Sequence, residues 1–278
     1  MSVNITAQDV NKLRQMTGVG IMDCKKALVE ANGDFEAAVD LLRKKGQKVS
    51  ANRAGRDAAE GVAIALTSAD GKYGVIVELN CETDFVAKND EFGGFAHKVA
   101  EAALAQKPAN IEALLELTID GRSIANHITD MTGKIGEKIV LSKFDFVEAE
   151  GVVSYIHGNK KIAVLVAMNK ALNDAIDAAG KDAAMQIAAL SPVAVDKDDV
   201  DIEVVKREIE IGKEQARTEG KPEEMLEKIA LGKLNKFYKE NTLLNQDFVK
   251  DGSMTVGKML NNVEEGLTCT SFIRVQIG

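Results

Sequence analysis

Two stretches of this chain follow the same plan, and that repetition limits the folds open to it. Glu60-Gly61-Val62 reappears as Glu150-Gly151-Val152. After the first, Val62, Ile64 and Leu66 alternate with other residues, Asp70-Gly71 supplies a tight turn, and Tyr73, Val75, Val77 and Leu79 alternate again. Period-two patterns on either side of such a turn predict a β-hairpin. A helix carrying Phe95, Val99, Ala100, Ala103 and Leu104 ends before Pro108. The second copy runs through a strand, a turn at His157-Gly158-Asn159, the strand Ile162-Ala163-Val164-Leu165-Val166, and an Ala-rich helix from Ala183 to Leu190 before Pro192. Strand, turn, strand and helix in succession, twice over, predict an α+β fold with two related subdomains at its core. The first copy is the longer by about six residues, which fall at Glu82-Thr83-Asp84-Phe85-Val86-Ala87-Lys88-Asn89. An insertion at a strand-to-helix junction on a rigid scaffold is where function concentrates.

The flanks read differently. Thr6, followed by Asp9, is a good N-cap for a helix presenting Val10, Leu13 and Met16. Thr17-Gly18-Val19-Gly20 breaks it. A second helix runs from about Met22 to Asn32, with Met22, Cys24, Ala27, Leu28 and Ala31 as apolar positions and Gly33 at its end. Asp34 caps a third, which buries Phe35, Ala38, Leu41 and Leu42 and is expected to stop at Gly46. Lys48 to Glu60 is polar and basic, and reads as a linker with some capacity for helix. Within 198–239, Val200, Val204, Val205, Ile209 and Ile211 precede a break at Gly220-Lys221-Pro222, and Met225, Leu226, Ile229, Leu234 and Phe237 follow it. Two helices around a short turn predict an antiparallel helical hairpin. Its apolar stripe packs internally, against another domain or against a second copy. A Thr255-capped helix through Leu260 and an alternating strand from Phe272 to Ile277 close the chain. The expected division is 1–56 for the three-helix module and linker, 57–140 for the first core subdomain, 141–195 with 240–278 for the second, and 196–239 for the inserted hairpin.

Composition excludes several classes of function. The 278 residues carry a net charge of -8 with a pI near 5.1, unlike a dedicated nucleic-acid binder. Residues 1–56 nevertheless hold ten Lys and Arg against six Asp and Glu. A basic unit on an acidic body steers a partner, or is an ordinary solvated helix surface. Cys24, Cys81 and Cys269 form neither a disulfide framework nor a zinc pattern, which points to a reducing cytoplasm. Met1-Ser2-Val3-Asn4 opens no signal region, and no apolar run is long enough to span a membrane. Gly252-Ser253-Met254-Thr255-Val256-Gly257-Lys258 has phosphate-loop spacing, but Met259 stands where a hydroxyl is needed for Mg²⁺. It reads instead as a turn followed by a helix cap. His97, His127 and His157 are far apart, with no metalloprotease, nucleophile-elbow or calcium-loop motif. On spacing alone His157 is a solvated turn residue. No cofactor, no metal and no catalytic residue is expected.

Thr83-Asp84-Phe85-Val86 combines a helix cap, a carboxylate and a large ring. It is either a helix start with Phe85 turned into the core, or a projecting tip whose ring anchors in a partner. The surrounding residues decide what it resembles. Glu78-Leu79-Asn80-Cys81-Glu82-Thr83-Asp84-Phe85-Val86-Ala87-Lys88 looks like the second signature of elongation factor Ts, and Leu13-Arg14-Gln15-Met16-Thr17-Gly18-Val19-Gly20-Ile21-Met22-Asp23-Cys24-Lys25-Lys26-Ala27-Leu28 looks like the first. Shorter matches follow at Lys134-Ile135-Gly136-Glu137, Tyr155-Ile156-His157-Gly158 and Ser271-Phe272-Ile273-Arg274, so the resemblance covers essentially the whole chain.

The resemblance implies an N-terminal ubiquitin-associated-like three-helix module, two related α+β subdomains and a helical-hairpin insert. It implies a guanine-nucleotide exchange factor of translation elongation, cytoplasmic and without chemistry of its own. The partner would be elongation factor Tu, in its GDP-bound and nucleotide-free states, with no direct contact to nucleic acid or membrane. Thr83, Asp84, Phe85 and Val86 would disturb the partner's Mg²⁺ and phosphate site without ligating the ion. Leu13, Arg14, Thr17, Gly18, Met22, Lys25 and Lys26 would belong to the docking module, and Ile135, Gly136 and His157 would line the interface. Some members continue past the final strand with a C-terminal helical module, and its contacts are not expected from a chain ending at Gly278. A passive binding or chaperone-like module, and an enzyme with an unrecognised site, are the rival expectations.

Overall fold

The computed structural model describes residues 5–278, so the reading made on Met1-Ser2-Val3-Asn4 falls outside the described residues. The chain opens with α1 (Ala7–Thr17), α2 (Ile21–Glu30) and α3 (Phe35–Arg53). There follow β1 (Glu60–Thr67), β2 (Tyr73–Cys81), α4 (Asp84–Ala87), α5 (Asp90–Gln106), α6 (Ile111–Glu116), β3 (Thr118–Ile119), β4 (Arg122–Ser123), α7 (Ile124–Ile135) and β5 (Val140–Glu148). The rest comprises β6 (Gly151–Ile156), β7 (Ile162–Met168), α8 (Asp174–Leu190), α9 (Ile202–Thr218), α10 (Glu223–Asn241), β8 (Asp247–Phe248), β9 (Asp251–Thr255), α11 (Val256–Val263) and β10 (Cys269–Gln276). Helices and antiparallel strands in separate runs make the fold α+β, as the two repeated hairpins predict. The chain divides into two compact units. One holds Met1–Val62, Val77–Phe144 and Ile277–Gly278, and the other Ala63–Ile76 and Asp145–Gln276.

In the first unit the N-terminal helices form as their caps dictate. The Thr6 hydroxyl accepts the Asp9 N–H, while the Asp9 carboxylate accepts the Thr6 N–H at 3.0 Å, a reciprocal capping box. Gly33 at φ +85° donates its N–H to the Leu28 carbonyl at 2.8 Å and ends the second helix. Asp34 accepts the Ala37 N–H at the start of the third. Val10, Leu13, Cys24, Ala27, Leu28, Ala38 and Leu42 bury one another inside this bundle.

The expected stop at Gly46 is not observed. The α3 helix continues to Arg53, through much of the segment read as a linker. A glycine inside a helix costs about 1 kcal/mol relative to alanine, and here it permits close approach to α7. A methyl group built on Gly133 would lie 2.4 Å from the Gly46 Cα. Tertiary packing outweighs local propensity at this position.

The first sheet has the order β1-β2-β5. The alternation read in Tyr73, Val75, Val77 and Leu79 implies one buried and one wet face, but every residue of β2 is buried. Its middle place in the sheet covers Glu78 and Asn80 as well, and their side chains hydrogen-bond to each other at 3.0 Å. Lys143 of β5 lies 3.3 Å from the Glu78 carboxylate. Such pairing offsets the cost of burying a charge.

In the second unit β7 is the central strand of β10-β7-β6, antiparallel to both neighbours. The α8 helix begins at Asp174, nine residues before the Ala-rich run that announces it. The Asn173 side chain caps it, and Gly180 interrupts its apolar pattern because it packs on Val153. The helices α5 and α8 have the same length and end alike, with Lys107 and Ser191 in the left-handed region at φ 47° and 48° before each proline. The α9 and α10 helices pack against each other around the turn at Glu219–Pro222. Gly252, Ser253 and Met254 lie in β9, paired with β8, and the Thr255 hydroxyl accepts the Lys258 N–H of α11. The backbone with phosphate-loop spacing is thus extended strand at 252–255 and the first turn of α11 at 256–258, not a nest of free N–H groups.

Candidate functional site

Residues 82–89 between β2 and α5 form a short projecting turn. The matching connection between β7 and α8 is residues 169–173, so only about half of the first copy's extra length lies here and the rest is in its hairpin. Thr83 occupies the N-cap position of α4, but its side chain does not cap the helix. Its hydroxyl and its backbone N–H instead donate to the two carboxylate oxygens of Glu137, at 2.7 and 3.0 Å. Asp84 pairs with Lys88 one turn on, at 2.6 Å. Phe85 is 81% exposed, so the ring stands outside the core. Val86 is half-buried at the inner side of the same turn. A large ring held in water on a four-residue helix contributes little to folding, and its exposure asks for another explanation.

The base of the turn is fastened on three sides. Arg53, in the last turn of α3, donates to both oxygens of the Glu82 carboxylate at 3.0 and 2.9 Å. The Lys138 N–H donates to the same carboxylate at 2.7 Å. These bonds, the backbone N–H foremost, hold the Glu82 carboxyl below its ordinary value. The Lys138 ammonium donates to the carbonyls of Ala54 and Arg56, each at 2.9 Å, and so finishes the end of α3. Beneath the turn, the Cys81 thiol donates to the Thr83 carbonyl at 3.1 Å. Burial, and then the nearby Glu137 and Glu60 carboxylates, push that thiol up to about 12, so it stays neutral.

The structure brings some of the sequence-predicted residues together. Ile135 and Gly136 end α7, Gly136 at φ +81° donating to the Thr132 carbonyl at 2.8 Å, and lead directly into the Glu137 that holds Thr83. Within the bundle, Leu13 is fully buried and offers no surface. Thr17 is half-buried, its hydroxyl donating to the Leu13 carbonyl at 2.8 Å. Gly18, at φ +66°, ends α1, and a Cβ there would meet the Lys134 ammonium at 2.4 Å. Arg14, Met22, Lys25 and Lys26 face water, Met22 with 62% of its surface exposed beside Ile21 and Val29. Three exposed apolar side chains, Ile21, Met22 and Val29, thus lie beside two exposed lysines on one helix. A cavity of about 310 Å³, whose lining includes Met16, Val19, Leu42, Arg122 and Lys134, separates part of the bundle from α7. His157 belongs to the other unit. It is exposed at the β6–β7 turn, its ring bonded to the Tyr155 hydroxyl at 2.9 Å.

Sequence reasoning missed Arg53, Glu82, Glu137 and Lys138 as partners. The only local signal was their polarity next to two family-like motifs. Among the described residues, no group of three or more His, Cys, Asp or Glu is gathered to hold a metal ion. No helix among them is long and apolar enough to cross a membrane.

A family model described as elongation factor TS matches residues 82–278. An elongation factor Ts from Amoebophilus asiaticus is 56% identical over 274 residues, covering 99% of each chain. One from Cytophaga hutchinsonii is also 56% identical, covering 98% of this chain and 99% of its own. One from Chloroherpeton thalassium is 45% identical over 284 residues, with 99% and 98% covered.

Proposed function

This chain belongs to the elongation factor Ts family, and from that premise we propose that it binds GDP-loaded elongation factor Tu and drives GDP release by disturbing the partner's Mg²⁺ and phosphate site. The observation that carries this is Phe85, an apolar ring 81% exposed on a turn that is itself firmly anchored. A rigidly presented aromatic is the kind of anchor that fills a partner's pocket.

GDP is held in such GTPases through backbone amides and Mg²⁺ at its phosphates. Phe85 wedges between partner helices, Asp84 helps reposition one of them, and Thr83 and Val86 fix the turn that carries both. The exchange factor ligates no Mg²⁺. Met22, Lys25 and Lys26 form the docking face of the N-terminal module, with Arg14, Thr17 and Gly18 at its edge, and Leu13 supports it from inside. Ile135, Gly136 and His157 line the remaining contacts. The place of action is the cytoplasm, and the α9–α10 stripe is the surface through which a second copy would pair. By linkage, the factor by which this protein lowers GDP affinity equals the factor by which GDP lowers its own. A thousandfold weakening needs roughly 4 kcal/mol of differential contact, within reach of one or two hot-spot residues.

The test is stopped-flow release of a fluorescent GDP analogue from elongation factor Tu. Acceleration by catalytic amounts of this protein, lost in Phe85→Ala, supports the reading. Binding without acceleration makes the chain a passive binding module.

A further inference from the structure

Two carboxylates, Glu82 and Glu137, hold the base of the projecting turn, and neither belongs to its exposed tip. Glu137 accepts both available donors of Thr83, and Glu82 joins the end of α3 to the Lys138 backbone. The turn has few other means of staying in place. The α4 helix is only four residues long and buries none of them. A helix that short does not persist on its own propensity. Its first cap is unused, because the Thr83 hydroxyl points to Glu137 instead of to a helix N–H. These bonds constrain its entry through residues 82 and 83.

We infer that Glu137 is a positioning residue for nucleotide exchange: its carboxylate grips the Thr83 N–H and hydroxyl and so holds Phe85 at a fixed place and angle. The inference rests on the exchange reading of the turn. Glu137 acts through Thr83 and does not enter the partner's nucleotide site. The grip matters because an anchor presented in its bound geometry spends none of its contact energy on ordering itself. Removing it leaves the ring free to sample other positions, so fewer encounters complete the wedge. Bringing the partner on is the task of other surfaces. The loss therefore falls on the maximal release rate and not on the concentration that half-saturates it.

The experiment measures GDP-analogue release across a concentration series of the full chain, for wild type, Glu137→Ala, Glu137→Gln and Phe85→Ala. Amide hydrogen exchange of residues 83–88 is measured in the same free proteins. Expected for Glu137→Ala is an about tenfold lower maximal rate, an effect of about 1.4 kcal/mol. Its half-saturating concentration stays within about twofold, and the 83–88 amides exchange faster. Glu137→Gln keeps one oxygen acceptor for the hydroxyl, loses the charge, and should fall between the two. An unchanged maximal rate, a loss confined to half-saturation, or unchanged amide exchange overturns the inference. If Glu137→Ala fails to fold, the same criteria apply to Glu137→Gln. Failure of the exchange reading looks different: the wild-type chain gives no acceleration, or Phe85→Ala releases GDP as wild type does.

Discussion

A methyl group on Gly133 would come within 2.4 Å of the Gly46 Cα, so α7 and α3 meet where neither has a side chain. Real Cβ atoms do not approach backbone that closely, and backbone on both sides leaves no flexible group to give way. Gly133→Ala should therefore lower stability, by about 1–3 kcal/mol as for other overpacked sites, despite the gain of about 1 kcal/mol in helix propensity. Gly232 on α10 has nothing within 4 Å of a built Cβ, and Gly232→Ala should raise stability by about 0.5–1 kcal/mol. Thermal melting followed by circular dichroism separates the two signs.

Phe85 and Phe92 lie seven residues apart and should answer oppositely to truncation. Phe92 is fully buried, and Phe92→Ala should cost about 3–5 kcal/mol. Phe85→Ala should leave stability within about 0.5 kcal/mol of wild type, while GDP release falls sharply. Urea unfolding of both variants provides the comparison. A Phe85→Ala protein that unfolds early would place the ring in the core after all.

Glu82 makes part of the stability depend on acid pH. Its carboxyl is held below the ordinary value of 4.5 by the Lys138 N–H and then by Arg53. A folded-state value depressed in this way adds stability that is complete above the unfolded value and is lost as pH falls through the folded one. Wild type should thus exceed Glu82→Gln in stability at neutral pH, and the gap should close on acidification below about pH 4.5. Urea midpoints from pH 7 down to about 3 follow this directly.

The three cysteines are free and buried. Burial pushes the Cys81 and Cys269 thiols up to about 12, far from the thiolate form that reacts. A disulfide reagent at pH 8 should label neither in the folded protein, and should label all three thiols once guanidinium unfolds it. Fast labelling of Cys81 under native conditions would show that the turn above it opens.

Local signals were legible in the residues wherever their physics is local. Thr6, Asp34 and Thr255 cap helices because a side-chain oxygen reaches an N–H three residues on, whatever surrounds it. Asp70-Gly71 turns the chain because Gly71 accepts φ +66°, and strand, turn, strand and helix form in both copies of the plan. Comparing two copies of one plan pointed to the junction at Glu82–Asn89, although about half of the extra length lies in the first hairpin instead. The same residues did not disclose that α3 runs past Gly46, since its tolerance there comes from Gly133, far along the chain. Nor did alternation in β2 reveal that both faces are covered, because burial depends on what a strand is placed beside. Thr83 reads as a helix cap, yet its hydroxyl serves Glu137, 54 residues away. Caps, turns and periodicity act over a few bonds, and are written into neighbouring residues. The exposure of Phe85 and the grip beneath it depend on which distant side chains the packed chain brings to them, and only the folded arrangement supplies that.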